Sequence, residues 1–232
     1  FRQCLSEKLG VAPDNILAGK GAVALIRLIA LTYFRNGDPV LILEPTFGEY
    51  EVACQLVGAK VLQQWGRVEE SFYLRIEETV DIIKQHRPRG VFICNPNNPT
   101  GQYFSRDEVE MILSAGKDGL LIIDEAYVAF VDQSWSSIDL ISRGNVVIVR
   151  SMTKDYALAN EEIIHTLCRV RPPWNVNAVA QKAGVIALRD ANYLEGCRRK
   201  IRRVKQFVIS QLHQIGFTLV PSETNFFLVR AG

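Results

Sequence analysis

Four polar clusters carry most of the side chains in this sequence that could do chemistry. Arg150-Ser151-Met152-Thr153-Lys154 offers two hydroxyls and a lysine amine, a group able to add to a carbonyl carbon. Asp124-Glu125-Ala126-Tyr127 offers a carboxylate and a phenol three residues apart, and Asn95-Pro96-Asn97-Asn98-Pro99-Thr100-Gly101 offers amides on a proline-rich turn. Gly19-Lys20-Gly21-Ala22-Val23 precedes apolar positions at helical spacing, and glycines at a helix N-terminus leave backbone N–H groups free to cradle a phosphate. It is not a nucleotide P-loop, because Asp14 stands where that motif needs glycine and Gly21 where it needs serine or threonine.

Three of these clusters follow short apolar runs, 90–94, 119–123 and 145–149. Such runs, rich in branched residues and without alternation, read as strands buried on both faces of a parallel sheet. Ligands of open α/β sheets bind beyond the carboxyl ends of the strands, so the clusters converge on one site. A strand over 39–43 and helices over about 48–57 and 105–115 continue the alternation; Ser105 and Glu108 form a capping box for the latter helix. Apolar residues Ala22, Leu25, Ile26, Ile29 and Ala30 mark a helix after Gly21. Two further helices are predicted over 177–188 and 193–215, the second stopped by Gly216. The second is long enough to lead into another domain, which places a boundary near Arg189: a large unit over 1–189 and a smaller one over 190–232.

The composition fits an enzyme of small molecules. Nearly half of the 232 residues are apolar, enough for a sizeable core, and a net charge of +2 gives no electrostatic reason to expect nucleic acid or an anionic membrane. Five cysteines without a Cys-x-x-Cys pair point to free thiols and a cytoplasmic setting. No apolar stretch approaches the ~20 residues of a membrane helix, and a soluble protein is expected. His86, His165 and His213 lack metal-ligand spacing, so no metal is expected. The basic run Arg198, Arg199, Lys200, Arg202, Arg203 and Lys205 alternates with Ile201, Val204 and Val208, the pattern of a solvated face on an amphipathic helix. The sequence opens at Phe1 in what reads as mid-helix and stops after a strand-like run at 226–229, so it is expected to be incomplete at both ends.

Asn-Asn-Pro-Thr-Gly, Asp-x-Ala-Tyr and Ser-x-x-Lys, in this order and each after a buried strand, resemble the fold-type I pyridoxal-phosphate enzymes of the class I/II aminotransferase family. Within it the resemblance is to the branch of histidinol-phosphate aminotransferases and threonine-phosphate decarboxylases. It implies a three-layer αβα large domain with a mostly parallel sheet, as in aspartate aminotransferase, and the start of a smaller α/β domain. It also implies pyridoxal 5'-phosphate as cofactor, with Lys154 bonded to its aldehyde and moving the substrate proton. Asp124 would keep the pyridine nitrogen protonated, and Asn98 and Tyr127 would hydrogen-bond the phenolic oxygen. Phe47 would stack on the ring, the backbone of Gly21, Ala22 and Val23 would hold the phosphate, and Ser151 and Thr153 would add hydroxyls. The plainer alternatives are a surface lysine, a turn aspartate and a core phenylalanine. Tyr50, three residues after Phe47, Asn175 in Pro172-Pro173-Trp174-Asn175-Val176-Asn177, and Asn225 are candidates for substrate contact.

Two departures stand out. Lys20 occupies a position where the branch often has asparagine. After Ala159 the family continues through a Gly-x-Arg-x-Gly-Tyr stretch, whereas Asn160-Glu161-Glu162 follows here, so either a true deletion or a chain break is expected between Ala159 and Asn160. The resemblance implies an aminotransferase acting on a phosphorylated or polar amino acid and a 2-oxo acid, built as a homodimer. A threonine-phosphate decarboxylase and a non-catalytic member of the fold are the alternatives.

Overall fold

The structure is a computed structural model that describes residues 1–131, 134–150, 156–173 and 175–230. Among the described residues seven strands form one sheet: β1 (Ile16–Ala18), β2 (Pro39–Glu44), β3 (Lys60–Trp65), β4 (Gly90–Cys94), β5 (Leu120–Glu125), β6 (Val146–Arg150) and β7 (Tyr156–Ala159). Their order is β1-β7-β6-β5-β4-β2-β3. Strands β2 to β6 are mutually parallel, while β7 runs antiparallel to both β6 and β1. The carboxyl ends of β2, β4, β5 and β6 therefore open on one edge.

Successive side chains of a strand point to opposite faces, and both faces here are buried. Val40, Ile42, Phe92, Ile122, Val147 and Val149 pack on one face with α2 (Ala22–Tyr33), α3 (Glu49–Leu56) and α6 (Glu161–Val170). Leu41, Leu43, Val91, Ile93, Leu121, Ile123, Val146 and Ile148 pack on the other. That face is covered by α1 (Arg2–Leu9), α4 (Ile76–His86), α5 (Arg106–Ala115) and the end of α7 (Ala178–Arg189). Burial on both sides explains why these strands read as unbroken apolar runs. The result is an α/β fold of three layers. After it come α8 (Ala191–Gln214) and an antiparallel pair, β8 (Thr218–Leu219) with β9 (Val229–Arg230).

The capping box at Ser105 and Glu108 is formed, and Asn177 caps α7 by accepting from the Ala180 N–H at 2.7 Å. At the step from Ala159 to Asn160 the expected break is replaced by continuous backbone. Ala159 closes β7, and Asn160 directly caps α6, its Oδ1 accepting from the Ile163 N–H at 2.9 Å. The register pairs Arg150 with Tyr156, so residues 151–155 alone connect β6 to β7.

The basic run on α8 also departs from a purely solvated face. Arg198 donates to the Ala129 carbonyl, and the Lys205 amine reaches the carbonyls of Ser222 and Thr224, both at 2.6 Å. These bonds hold α8 to the loop after β5 and to the segment before β9.

Candidate active site

The loops leaving β2 and β4 are latched to each other by side chains of the proline-rich turn. Asn97 Nδ2 donates to the Pro45 carbonyl and to Thr100 Oγ1, both at 2.8 Å, and the Thr46 hydroxyl donates to Asn97 Oδ1 at 2.8 Å. Asn95 brackets Phe104, accepting from its N–H at 2.7 Å and donating to its carbonyl at 3.3 Å. Asn95 and Asn97 are thus scaffold. Asn98 makes no side-chain hydrogen bond among the described residues and stays available to the space beside it.

That space is a cavity of about 160 Å³ at the carboxyl ends of β4 and β5. Gly21, Ala22, Val23, Phe47, Asn98, Asp124 and Tyr127 line it, together with Lys20, Cys94 and Ala126. Gly21, at φ 93°, ends the turn that opens α2; the helix has no side-chain cap and no acid in its first turn, leaving its N–H groups at the cavity wall. The position of Asp124 follows from register. It is partnered in the sheet by Cys94 on β4 and Val149 on β6, with a carboxylate only 3% exposed. The Ala126 N–H donates to Asp124 Oδ1 at 2.9 Å and the Tyr50 hydroxyl to Oδ2 at 2.9 Å.

Tyr50 is placed differently from its expected substrate contact. It is wholly buried, stacked on Phe92 with ring centroids 5.0 Å apart and edge-on to Phe47 at 5.8 Å. Burial, reinforced by the nearby Asp124 and Cys94, pushes its phenol well above the ordinary value, so it keeps its proton and donates to Asp124. Tyr50 is a support for the carboxylate and cannot reach a substrate. The Cys94 thiol, pushed up to about 12 by burial and then by Asp124, is likewise protonated and donates to the Pro96 carbonyl at 3.2 Å.

Asn175 and Asn225 also lie away from the cavity. Asn175 Nδ2 donates to the Ala18 carbonyl at 2.8 Å, fixing the loop before α7 to the end of β1. Asn225 is exposed and lines a separate cavity along α8, because Lys205 and the Ser222–Thr224 hydroxyl network hold its segment there. The same segment does approach the site at Phe226, whose ring meets Tyr127 edge-on at 4.9 Å. Ser151, Thr153 and Lys154 lie outside the described residues. Immediately before them, Arg150 pairs through Nε with the buried Glu125 at 2.6 Å, and the Ser137 hydroxyl donates to the same carboxylate.

The family model for aminotransferase class I and II matches residues 1–232. The chain belongs to that family. Among relatives of this aminotransferase-family chain, the histidinol-phosphate aminotransferase of Moorella thermoacetica is 34% identical over 243 residues, covering 99% of this chain and 62% of that protein. That of Thermoanaerobacter pseudethanolicus is 32% identical, with 99% and 67% covered. The chain thus spans roughly two thirds of the length of these relatives. The crystal structure of histidinol-phosphate aminotransferase from Sinorhizobium meliloti in complex with pyridoxal-5'-phosphate superposes with a TM-score of 0.92 over 100% of this chain and 65% of that one. At 23% identity it shows the shared fold. The L-threonine-O-3-phosphate decarboxylase structure from Porphyromonas gingivalis is 29% identical with a TM-score of 0.83, covering 99% of this chain and 70% of that one.

Three lining residues, Lys20, Cys94 and Ala126, had no assigned role in the sequence. Cys94 could be placed at a strand end but not at a cavity wall, and Lys20 was visible only as a departure from a pattern.

Proposed function

We propose that this chain carries the cofactor site of a pyridoxal-phosphate-dependent aminotransferase, acting on a phosphorylated or polar amino acid of the histidinol-phosphate type and a 2-oxo acid. The observation that carries the reading is the strand-end cavity lined by a buried carboxylate, an unengaged amide, a phenol, an aromatic ring and the open N-terminus of α2. Those groups fit the cofactor. The N–H groups of Gly21, Ala22 and Val23 suit its phosphate, the ring of Phe47 suits its apolar face, and Asn98 and Tyr127 suit its phenolic oxygen. Asp124 suits the pyridine nitrogen: a carboxylate held by two donors offers a fixed negative charge to a protonated ring. When bound, pyridoxal phosphate supplies an electron sink for the pair released at the substrate's α-carbon.

In this reading Lys154, four residues after β6, would hold the cofactor through its aldehyde and move the proton at the substrate's α-carbon, and Ser151 and Thr153 would add hydroxyls to the phosphate. Glu125 fixes the end of β6, four residues before Lys154, by its buried pair with Arg150. Tyr50 and Cys94 hold their protons beneath the site and so leave the negative charge on Asp124. We further infer a homodimer, a cytoplasmic setting and a division between a cofactor-binding unit over 1–189 and a second unit from residue 190.

A decarboxylase of the same fold is the second reading, favoured by the likeness to the Porphyromonas gingivalis decarboxylase. The direct step from Ala159 to Asn160, without the family's Gly-x-Arg stretch, favours a third, a member that binds cofactor without turnover. Purified protein should be assayed with histidinol phosphate plus 2-oxoglutarate, and separately with threonine phosphate while carbon dioxide is measured. Amino transfer in the first assay supports the proposal, carbon dioxide in the second replaces it with decarboxylation, and cofactor binding without either supports the third reading. Sedimentation of an active monomer would contradict the homodimer.

A further inference from the structure

Lys20 is the sole basic side chain among the described residues that line the strand-end cavity, and Asp124 is the sole acid. The lysine is exposed, and it has no hydrogen-bond or ion-pair partner among the described residues. Its backbone is tightly fixed. A Cβ at Gly19 would meet the Leu25 side chain at 2.6 Å, and Gly21 has φ 93°, a conformation that side-chain-bearing residues rarely adopt. The Cα of Lys20 is therefore set at the cavity rim, while its four-carbon stem is free to swing a compact charge over the opening of α2.

The charges in the cavity make this position consequential. A phosphate monoester carries between one and two negative charges near neutral pH. The Asp124 carboxylate sits in the same cavity, and α2 contributes only the partial positive charge of its N-terminus. A phosphate at the opening of α2 would meet those N–H groups, and Lys20 offers it a full positive charge next to Gly21, Ala22 and Val23.

We propose that Lys20 recognises the phosphate of the bound cofactor and gives the site its preference for the phosphorylated over the unphosphorylated vitamer. This role rests on the cofactor reading above. It is tested with ligands that lack the aldehyde and so cannot bond to any lysine: pyridoxine 5'-phosphate and pyridoxine, each measured by equilibrium dialysis against the 232-residue chain, Lys20→Gln and Lys20→Arg. A charge-assisted contact at an exposed position is worth about ten-fold in affinity. Lys20→Gln should therefore bind pyridoxine 5'-phosphate about ten-fold more weakly with pyridoxine binding unchanged, and Lys20→Arg should recover most of the loss. An unchanged preference in Lys20→Gln, or equal weakening for both compounds, overturns the proposal. Failure of the wild-type chain to bind either compound or pyridoxal phosphate itself instead removes the cofactor reading, and the role of Lys20 with it.

Discussion

Deleting one oxygen from Tyr50 tests whether Asp124 is held from beneath the cavity. Tyr50→Phe preserves the stack on Phe92 and the edge contact with Phe47, and removes only the hydroxyl that donates to Asp124 Oδ2 at 2.9 Å. The carboxylate keeps the Ala126 N–H on Oδ1 but loses this donor where water cannot replace it, since Tyr50 is fully buried and Asp124 is 3% exposed. Hydrogen bonds to charged groups contribute about 1.5–3 kcal/mol, so a loss of about 2 kcal/mol is expected. For chains of this size each kcal/mol moves the melting temperature by roughly 2–4 °C, which predicts a drop of about 4–8 °C. The bond itself is isolated by a double-mutant cycle with Asp124→Asn, in which the two losses should fall short of additivity by about 1 kcal/mol or more. Melting followed by circular dichroism at neutral pH decides it. A Tm within about 1 °C of wild type, or strict additivity in the cycle, would refute the reasoning.

Borohydride reduction of the cofactor-loaded chain should trap the cofactor on the Lys154 peptide; label on Lys20 or any other lysine would sink the assignment. Asp124→Asn should retain cofactor binding but lose orders of magnitude in turnover, because a neutral amide cannot hold a protonated ring nitrogen; near-normal rates would make Asp124 a turn residue only. Glu125→Gln leaves Arg150, which is 13% exposed, without its carboxylate and should destabilise the fold by about 3 kcal/mol in urea unfolding; a loss below about 1 kcal/mol would contradict a working buried pair. Burial pushes the thiols of Cys54 and Cys94 from 9.0 up to about 12, so between those values the folded chain holds protons that the unfolded chain releases. Their contribution to stability is complete below pH 9 and falls as pH rises through that window; a Cys54→Ala/Cys94→Ala variant should lose stability less steeply there, and an unchanged slope would refute the assignment.

The sequence was most legible where burial on two faces leaves an unmistakable trace. The runs 90–94, 119–123 and 145–149 became β4, β5 and β6, and polar residues that follow the first two runs met in one cavity. It was least legible at the sheet margins. In β3, Lys60, Gln63 and Trp65 are exposed and only Gln64 is buried, so its composition gives no core-strand signal. The four-residue β7 is too short for periodicity to register. Spacing placed Tyr50 on the same helical face as Phe47, which the contact between their rings bears out, but spacing does not say how deep a face lies. Phe92 closes over Tyr50 from β4, a contact with no local signature. The basic face of α8 misled for a related reason: Arg198 and Lys205 direct their donors at carbonyls distant in sequence.

The place of β7 in the sheet bears on how the chain is made. In order of synthesis, β3 has its partner β2 already made, β4 has the other side of β2, and β5 and β6 each have the strand before them in the sheet. The first strand is the exception, because β1 pairs with β7, Ile16 facing Leu158. Ile16 and Leu17, almost completely sequestered in the folded chain, are thus made before β2 to β6 and before the strand that seats them. A nascent chain arrested before residue 156 would carry a sheet of five parallel strands beside an undocked, sticky amino-terminal segment, the natural foothold for a chaperone or a protease.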